Sequence, residues 1–411
     1  MKSLPQEHGW IDYLFYLSLF FYILWDAYAW FFWILADNPI ASLTANLIIC
    51  VISYFYKIRH KVSLSLSPPL LIAILSYSLA ILIQSEKISF GLLVIIVIKL
   101  YPFIVLLKVK DSQKIIVFLS KALAIILVPS IFIHIYLFFN DLPFILISHP
   151  SQDNYVFYNY FFALRGFEYA YNDIRFLSYF LEAGYAGVLF SFFLYINKYD
   201  FSKWYVKVII VGLLLTLSLA GYSITVVGYF VTLFVEHRKK TSIVMSVIVL
   251  SLLYMFFSTY NGGNNPVNER LLSRLESDDE KGVKGNNRVS GDTDMYFDQL
   301  VENGGIFFGL GSSKVNQLNA SGQSKQGVQG AGLVRFLVTN GLVCYLLYIL
   351  FYYLLGHNAV KMRDKHVFGF MLLLLLTTFT LTMMSKASWI IPYILCINSS
   401  KKSVSKVICK S

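Results

Sequence analysis

The sequence predicts an all-α polytopic membrane protein with about twelve transmembrane helices and a large, partly helical loop on the periplasmic face. Three observations lead there. Of the 411 residues, 57% are hydrophobic and only 14% charged, against about 25% charged in soluble globular chains. The apolar residues collect into runs close to the roughly twenty needed to cross a bilayer. The Lys and Arg residues fall in short groups between those runs, which makes the net charge of +11 a topology signal and not a nucleic-acid-binding patch. No nucleic-acid partner is therefore expected.

Taken from the N-terminus, the apolar run from Trp10 to Leu35 is long enough to stay as an anchor and lacks the layout of a cleaved signal peptide. Further spans are expected near 39–56, 67–84, 88–107, 115–139, 174–196, 205–221, 222–236, 241–259, 331–355, 367–384 and 386–398. The spans at 205–221 and 222–236 are short and meet around Ala220, Gly221 and Tyr222, which predicts a broken or re-entrant element. Such backbone is tolerated at membrane depth only where protein or a water-filled cavity covers it.

Basic groups recur on alternate connections: Lys57, Arg59 and Lys61; Lys108, Lys110 and Lys114; Lys198, Lys203 and Lys207; Arg238, Lys239 and Lys240; Lys361, Arg363 and Lys365; and the lysines from Lys401 to Lys410. The intervening short connections, Asp37 to Pro39, Gln84 to Lys87 and the turn at Lys386, are nearly empty of positive charge. Both termini are then expected in the cytoplasm of a multi-pass inner-membrane protein. Residues 1–411 read as a single transmembrane domain carrying two periplasmic loops, the smaller at 140–173 and the larger at 260–330.

In the larger loop, short helices are expected over Asn268–Leu275 and Asp292–Glu302. The second opens with acids in its first turn and stops at Asn303, Gly304 and Gly305. This loop is expected to cap a cavity at the outer face of the bundle. The aromatics from Tyr155 to Tyr171 read as an interfacial belt. The four cysteines, Cys50, Cys344, Cys396 and Cys409, form no CxxC pair, so neither a disulfide framework nor a thiolate metal site is expected. His149 is the only histidine in the two long loops. No multi-histidine metal centre and no cofactor are predicted.

The candidate chemistry lies outside. Arg165, Arg175, Arg270, Arg274, Arg288 and Arg335 sit in or beside the two long loops, whereas lysine dominates the other face. A guanidinium is always charged and matches phosphate oxygens two at a time, so arginines over a membrane cavity suit a lipid diphosphate. Arg270 and Arg274 are also close in sequence to Glu269, Glu276, Asp278, Asp279 and Glu280, which could pair with them. Glu182 follows Arg175 on the expected sixth span, and seven helical residues place the two on one face about 10 Å apart along the axis. A carboxylate inside the apolar zone costs on the order of 2.5 kcal/mol or more unless it faces the bundle interior with a partner or a task. Asp26 and Lys99 are further intramembrane charges, expected to pair, snorkel or line the same cavity. Asp292, Thr293 and Asp294 spell a DxD, but at a helix start, where acids are favoured anyway. Gly309, Leu310 and Gly311 make a tight turn able to approach a ligand closely.

Three stretches together resemble the O-antigen polymerase (Wzy) family, whose relatives include the O-antigen ligases: IRFLSYFLEAGYAGVLF at 174–190, LSLAGYSITVVGYF at 217–230, and the run from GNNRVSGDTDMYFDQL through FFGLGSS to GAGLVRFLVTNGLVCYLLYIL. The resemblance covers most of the chain as architecture. It departs from the family in lacking an arginine at Ala220 to Ser223. It also lacks the histidine that ligases carry just before the next span, here Gly327 to Gly332, which favours polymerase over ligase.

The resemblance implies transfer of a growing glycan from undecaprenyl diphosphate to a lipid-linked repeat unit, building O-antigen or a related surface polysaccharide. Lipid-linked glycans, membrane lipids and a chain-length regulator are the expected partners. In this scheme Arg175 and Arg288 stabilise the departing diphosphate, Glu182 orients or deprotonates the acceptor, and Arg165, Arg270, Arg274, Arg335, Gly309 and Gly311 bind substrate. The alternatives are ligase-type glycosyl transfer and a lipid-linked oligosaccharide flippase. The long outer loop argues against the flippase, since transporters usually have short loops on both sides.

Overall fold

The computed structural model describes residues 9–36, 38–86, 88–149, 152–166, 175–237, 251, 254–265, 268, 277–278, 282–283, 291–320, 332–361, 364–382 and 384–408. Arg270, Arg274 and Arg288 lie outside the described residues, as does the helix expected over Asn268–Leu275 beyond its first residue.

Most of the described residues are helical. In chain order the helices are α1 (Trp10–Asp26), α2 (Trp33–Ala36), α3 (Pro39–Arg59), α4 (Pro68–Ser85), α5 (Phe90–Leu107) and α6 (Ser112–Tyr136). After a small sheet come α7 (Ala183–Ile196), α8 (Trp204–Leu215), α9 (Leu219–Thr232), α10 (Gly291–Glu302), α11 (Ser312–Ala320), α12 (Leu333–Lys361), α13 (Lys365–Thr378) and α14 (Ala387–Ile408). Among the described residues, α3, α4, α5, α6 and α12 are long and apolar enough to cross a membrane. Shorter apolar helices run over Ala183–Ile196, Trp204–Leu215, Leu219–Val235 and Lys365–Thr378.

Local chemistry sets many of the boundaries. Asn38 accepts from the amides of Ile40 and Ala41 ahead of Pro39 at the start of α3, Ser89 accepts from Leu92 at α5, and Asp364 accepts from His366 and Val367 at α13. Helix α1 stops at Asp26, short of the span expected to Leu35, because Tyr28 turns left-handed at φ 57°. The amide of Ala29 then bonds to Leu24 and that of Tyr28 to Trp25, the double closure of a Schellman cap.

Three further expectations are corrected. The helix expected from 174 begins only at Ala183, because residues 175–182 form an extended and turned segment with Ser178 at φ 54°. The junction expected at Ala220–Tyr222 lies at Thr216–Ser218, where Leu217 is left-handed and the Ser218 hydroxyl caps α9 by accepting from Gly221. The smaller loop is not all-α. It holds a three-stranded antiparallel sheet in the order β1 (Ile145–His149), β2 (Gln152–Asn159), β3 (Leu164–Gly166). Two-residue strands Ser277–Asp278 and Gly282–Val283 also pair.

The chain divides into two compact units. The first comprises residues 1–68, 89–212 and 386–411. At its centre lie α7, buried over all but Tyr185, and the first three turns of α14, buried through Ile397. Phe192 of α7 meets Trp389 of α14 edge to face at 5.8 Å. A helix buried all round is the interior member of a bundle. At the opposite end of α1, buried Asp12 takes Nε2 of His60 at 2.5 Å with Arg59 at 3.8 Å, joining the start of α1 to the end of α3.

The second unit comprises residues 69–88 and 213–385. Here α10 forms where the acids predicted a start, and it ends at Gly304, left-handed at φ 69°. Leu300, Val315 and Val338 make a small core that joins α10, α11 and the first turns of α12. Helix α12 breaks at Gly341, where φ is 79° and ψ is 168°.

Candidate functional site

In the first unit, five stretches of chain meet at one apolar cluster: Trp33, Phe157, Leu164, Leu177, Leu181 and Ala183, with Tyr28, Trp30, Ile147 and Tyr185 packed against it. Backbone hydrogen bonds tie the irregular pieces together. The amide of Trp30 donates to Tyr179 at 2.8 Å, that of Leu164 to Ser178 at 2.8 Å, and Ala29 bridges Phe180. Side chains fix the segment to α6: the Ser130 hydroxyl meets Ser178 at 3.0 Å, and the Tyr179 hydroxyl donates to Ile126 at 2.9 Å. The segment is extended because its backbone groups are needed by two neighbouring strands of chain. Those groups are thereby bonded within the protein.

Three of the predicted residues flank members of this cluster. Arg165 follows Leu164 on β3 opposite Tyr158, Arg175 precedes the buried Phe176–Leu177 pair, and Glu182 stands between Leu181 and Ala183. All three are partly exposed. Arg165 is close enough to Tyr160 to pull its hydroxyl pKa down, against the larger effect of burial, which leaves it raised. Arg175 and Glu182 do not share a helix face, since no helix spans them; Glu182 is instead the residue that precedes the first turn of α7. It occupies the cap position, yet its side chain accepts no capping bond. Among the described residues its carboxylate makes no hydrogen bond and no ion pair.

Next to this cluster lies a group that the sequence reading treated as a nearly uncharged turn. Lys386, just ahead of α14, holds its Nζ over the Tyr28 ring, 4.8 Å from the centroid. The Asp26 carboxylate is buried and accepts from the Ala387 amide at 2.6 Å, fixing the start of α14. The Tyr28 side chain also hydrogen-bonds to Lys386, and Asp26 lies near enough to favour its charge. The Tyr28 ring also meets Tyr185 at 5.8 Å, one turn into α7 from Glu182. A lysine bounded by apolar runs on both sides was the available signal, and its partner Asp26 had already been singled out. Lys99 is partly buried on α5.

In the second unit, Gly309 and Gly311 approach chain, as the tight turn predicted, but the chain approached is the protein's own. The amides of Leu310 and Gly311 donate to Val338 at 2.7 Å and Thr339 at 2.9 Å, carbonyls released by the break at Gly341. A methyl group on Gly309 would lie 2.7 Å from the Gly341 nitrogen. Beyond the turn, the Glu86 carboxylate accepts from the Ser313 amide at 2.9 Å in the first turn of α11. Arg335 is exposed in the first turn of α12, and Asp292 and Asp294 occupy the first turn of α10.

A half-open cavity of about 300 Å³ lies along α1 and α3, walled by Leu14, Leu17, Phe21, Trp25, Ile49 and Ile52. It contains none of the predicted site residues. Among the described residues, no group of three His, Cys, Asp or Glu side chains is placed to hold a metal ion.

Chemically, the first unit offers a carboxylate with no partner among the described residues, two guanidinium groups and a partly buried ammonium beside aromatic rings. No protein-family model, curated protein or solved structure matches the chain.

Proposed function

We propose that the chain is a membrane glycosyltransferase of the O-antigen polymerase type, with about twelve spans and both termini cytoplasmic, acting at the periplasmic face of a bacterial inner membrane. It transfers a glycan from undecaprenyl diphosphate to a hydroxyl of a second lipid-linked repeat unit. The bond from the anomeric carbon to the diphosphate oxygen breaks, a bond from that carbon to the acceptor oxygen forms, and the acceptor proton leaves.

The observation that carries this reading is Glu182. It is a partly exposed carboxylate at the head of a buried helix, where the helix N-terminus favours negative charge, and no described residue pairs with it. It is therefore placed to take a proton from, or orient, a hydroxyl brought to it. Arg165 and Arg175, on the same cluster, are the described cations suited to charge building on a departing diphosphate. Arg288, Arg270 and Arg274 are assigned the same kind of task from the sequence alone.

The test is long-chain surface polysaccharide in cells carrying Glu182→Gln, Arg175→Ala or Arg288→Ala, each checked for membrane insertion. Each variant should lose long chains while inserting normally. Wild-type chain length in Glu182→Gln and Arg175→Ala would remove the mechanism.

A further inference from the structure

We infer that Lys386, presented by Tyr28, is a further binding residue of this site, holding the diphosphate of a prenyl-linked donor. The inference rests on the glycosyl-transfer reading above and adds a cation outside the arginine set.

Four features point to a ligand. First, the ammonium has three donors; Tyr28 takes one in a side-chain hydrogen bond and covers one side with its ring face, worth about 0.5–2 kcal/mol, and the other donors have no partner among the described residues. Second, the Asp26 carboxylate favours the charge from nearby but is fixed on the Ala387 amide at 2.6 Å, and among the described residues no carboxylate comes within ion-pair distance of Lys386. Third, Tyr28 stands left-handed at the position of a Schellman cap where glycine is the usual residue. A bulky side chain in that conformation costs on the order of 1–3 kcal/mol and persists where its placement is over-determined. What the placement achieves is a ring set between Lys386 and Tyr185, at 4.8 Å and 5.8 Å. Fourth, Tyr28 and Tyr185 are only partly buried, so the lysine lies beside an accessible aromatic surface and near the head of α7, where Glu182 stands. A diphosphate held there carries its leaving oxygen towards the carboxylate that handles the acceptor.

The experiment uses the full chain in lipid nanodiscs, with geranylgeranyl diphosphate as probe and geranylgeraniol and inorganic diphosphate as comparators. Lys386→Met keeps an unbranched apolar stem of similar length, and Lys386→Arg keeps the charge. Lys386→Met should weaken geranylgeranyl diphosphate binding by about tenfold or more and leave geranylgeraniol binding unchanged, with Lys386→Arg nearer wild type. A loss equal for the diphosphate and the alcohol marks a structural role and overturns the inference. Equal diphosphate affinity in Lys386→Met and wild type overturns it too, with the polymerase reading untouched provided Glu182→Gln still loses long chains. Wild-type protein that binds inorganic diphosphate as tightly as the prenyl form overturns it in favour of a free-anion site. Wild-type protein that binds no prenyl diphosphate at all removes the glycosyl-transfer reading as well.

Discussion

Replacing Gly341 with alanine tests the join between the larger loop and α12. At φ 79° and ψ 168° the residue sits where side chains are strained, at a cost of about 1–3 kcal/mol. A methyl group there would overlap the Phe307 carbonyl oxygen and the Phe308 carbonyl carbon, both backbone atoms. Relief requires the 305–311 turn to withdraw, which breaks the Leu310–Val338 and Gly311–Thr339 hydrogen bonds, worth together about 1–3 kcal/mol. The sum, about 2–6 kcal/mol, shifts local opening by about thirtyfold or more. Cys344 lies three residues on, 0% exposed, with its thiol against the Ala80 carbonyl at 3.5 Å. With Cys50, Cys396 and Cys409 changed to serine, a maleimide should label Cys344 slowly in the parent. Labelling should be faster by that factor in Gly341→Ala. Equal labelling rates would show that the turn and the broken helix are not coupled as described.

Asp26→Ala should lower the thermal stability of the detergent-purified protein, because it leaves the Ala387 amide buried without its acceptor, a loss of about 1–3 kcal/mol. Asp26→Asn, which can still accept, should fall in between; an Ala variant melting like wild type would refute the capping role. Glu86→Ala should speed hydrogen exchange at the Ser313 amide several-fold with little change in overall stability, since the contact is exposed. Unchanged exchange at Ser313 would mean the carboxylate is not held there in solution.

Much of the helical layout is legible in the sequence because apolar length is a strong signal. The expected spans at 39–56, 67–84, 88–107 and 331–355 correspond to α3, α4, α5 and α12, with ends displaced by a few residues except at the C-terminus of α12. The cap chemistry behind α10 is equally local: acids at Asp292 and Asp294, then a glycine stop at Gly304. Segment 175–182 was not legible. Ile174 to Leu181 is mostly apolar in sequence, and what makes 175–181 extended and turned is the demand of Trp30 and Leu164 for the carbonyls of Tyr179 and Ser178, a contact between residues far apart in sequence. The sheet at 145–166 carried a usable signal, short runs rich in β-branched and aromatic residues at Phe144–Ile147 and Tyr155–Tyr158, the second of which the interfacial-belt reading absorbed. At the candidate site, charge type was readable and mutual placement was not. Arg175 and Glu182 were assigned a shared helix face that does not exist, and Lys386 was passed over because one lysine in a turn carries little weight in a topology count.

The two irregular regions obey one physical rule. Where a helix is interrupted in an apolar setting, the released carbonyls and amides must be met inside the protein, and in both units the partners come from segments outside the long helices. Val338 and Thr339 are met by the turn at Leu310 and Gly311, while Ser178 and Tyr179 are met by Leu164 and Trp30. The consequence for chemistry differs between the two. In the second unit the interruption is closed by backbone against backbone, and the close approach needs glycine at positions 309 and 341. In the first, the interruption brings Arg175 and Glu182 out of helical register and sets them beside β3 and the Tyr28 cap. A continuous helix from 174 would have aligned the two charges along one face and satisfied its own backbone, leaving Leu164 and Trp30 without acceptors. The extended segment instead leaves Glu182 at a helix head, where negative charge is favoured, with no partner among the described residues.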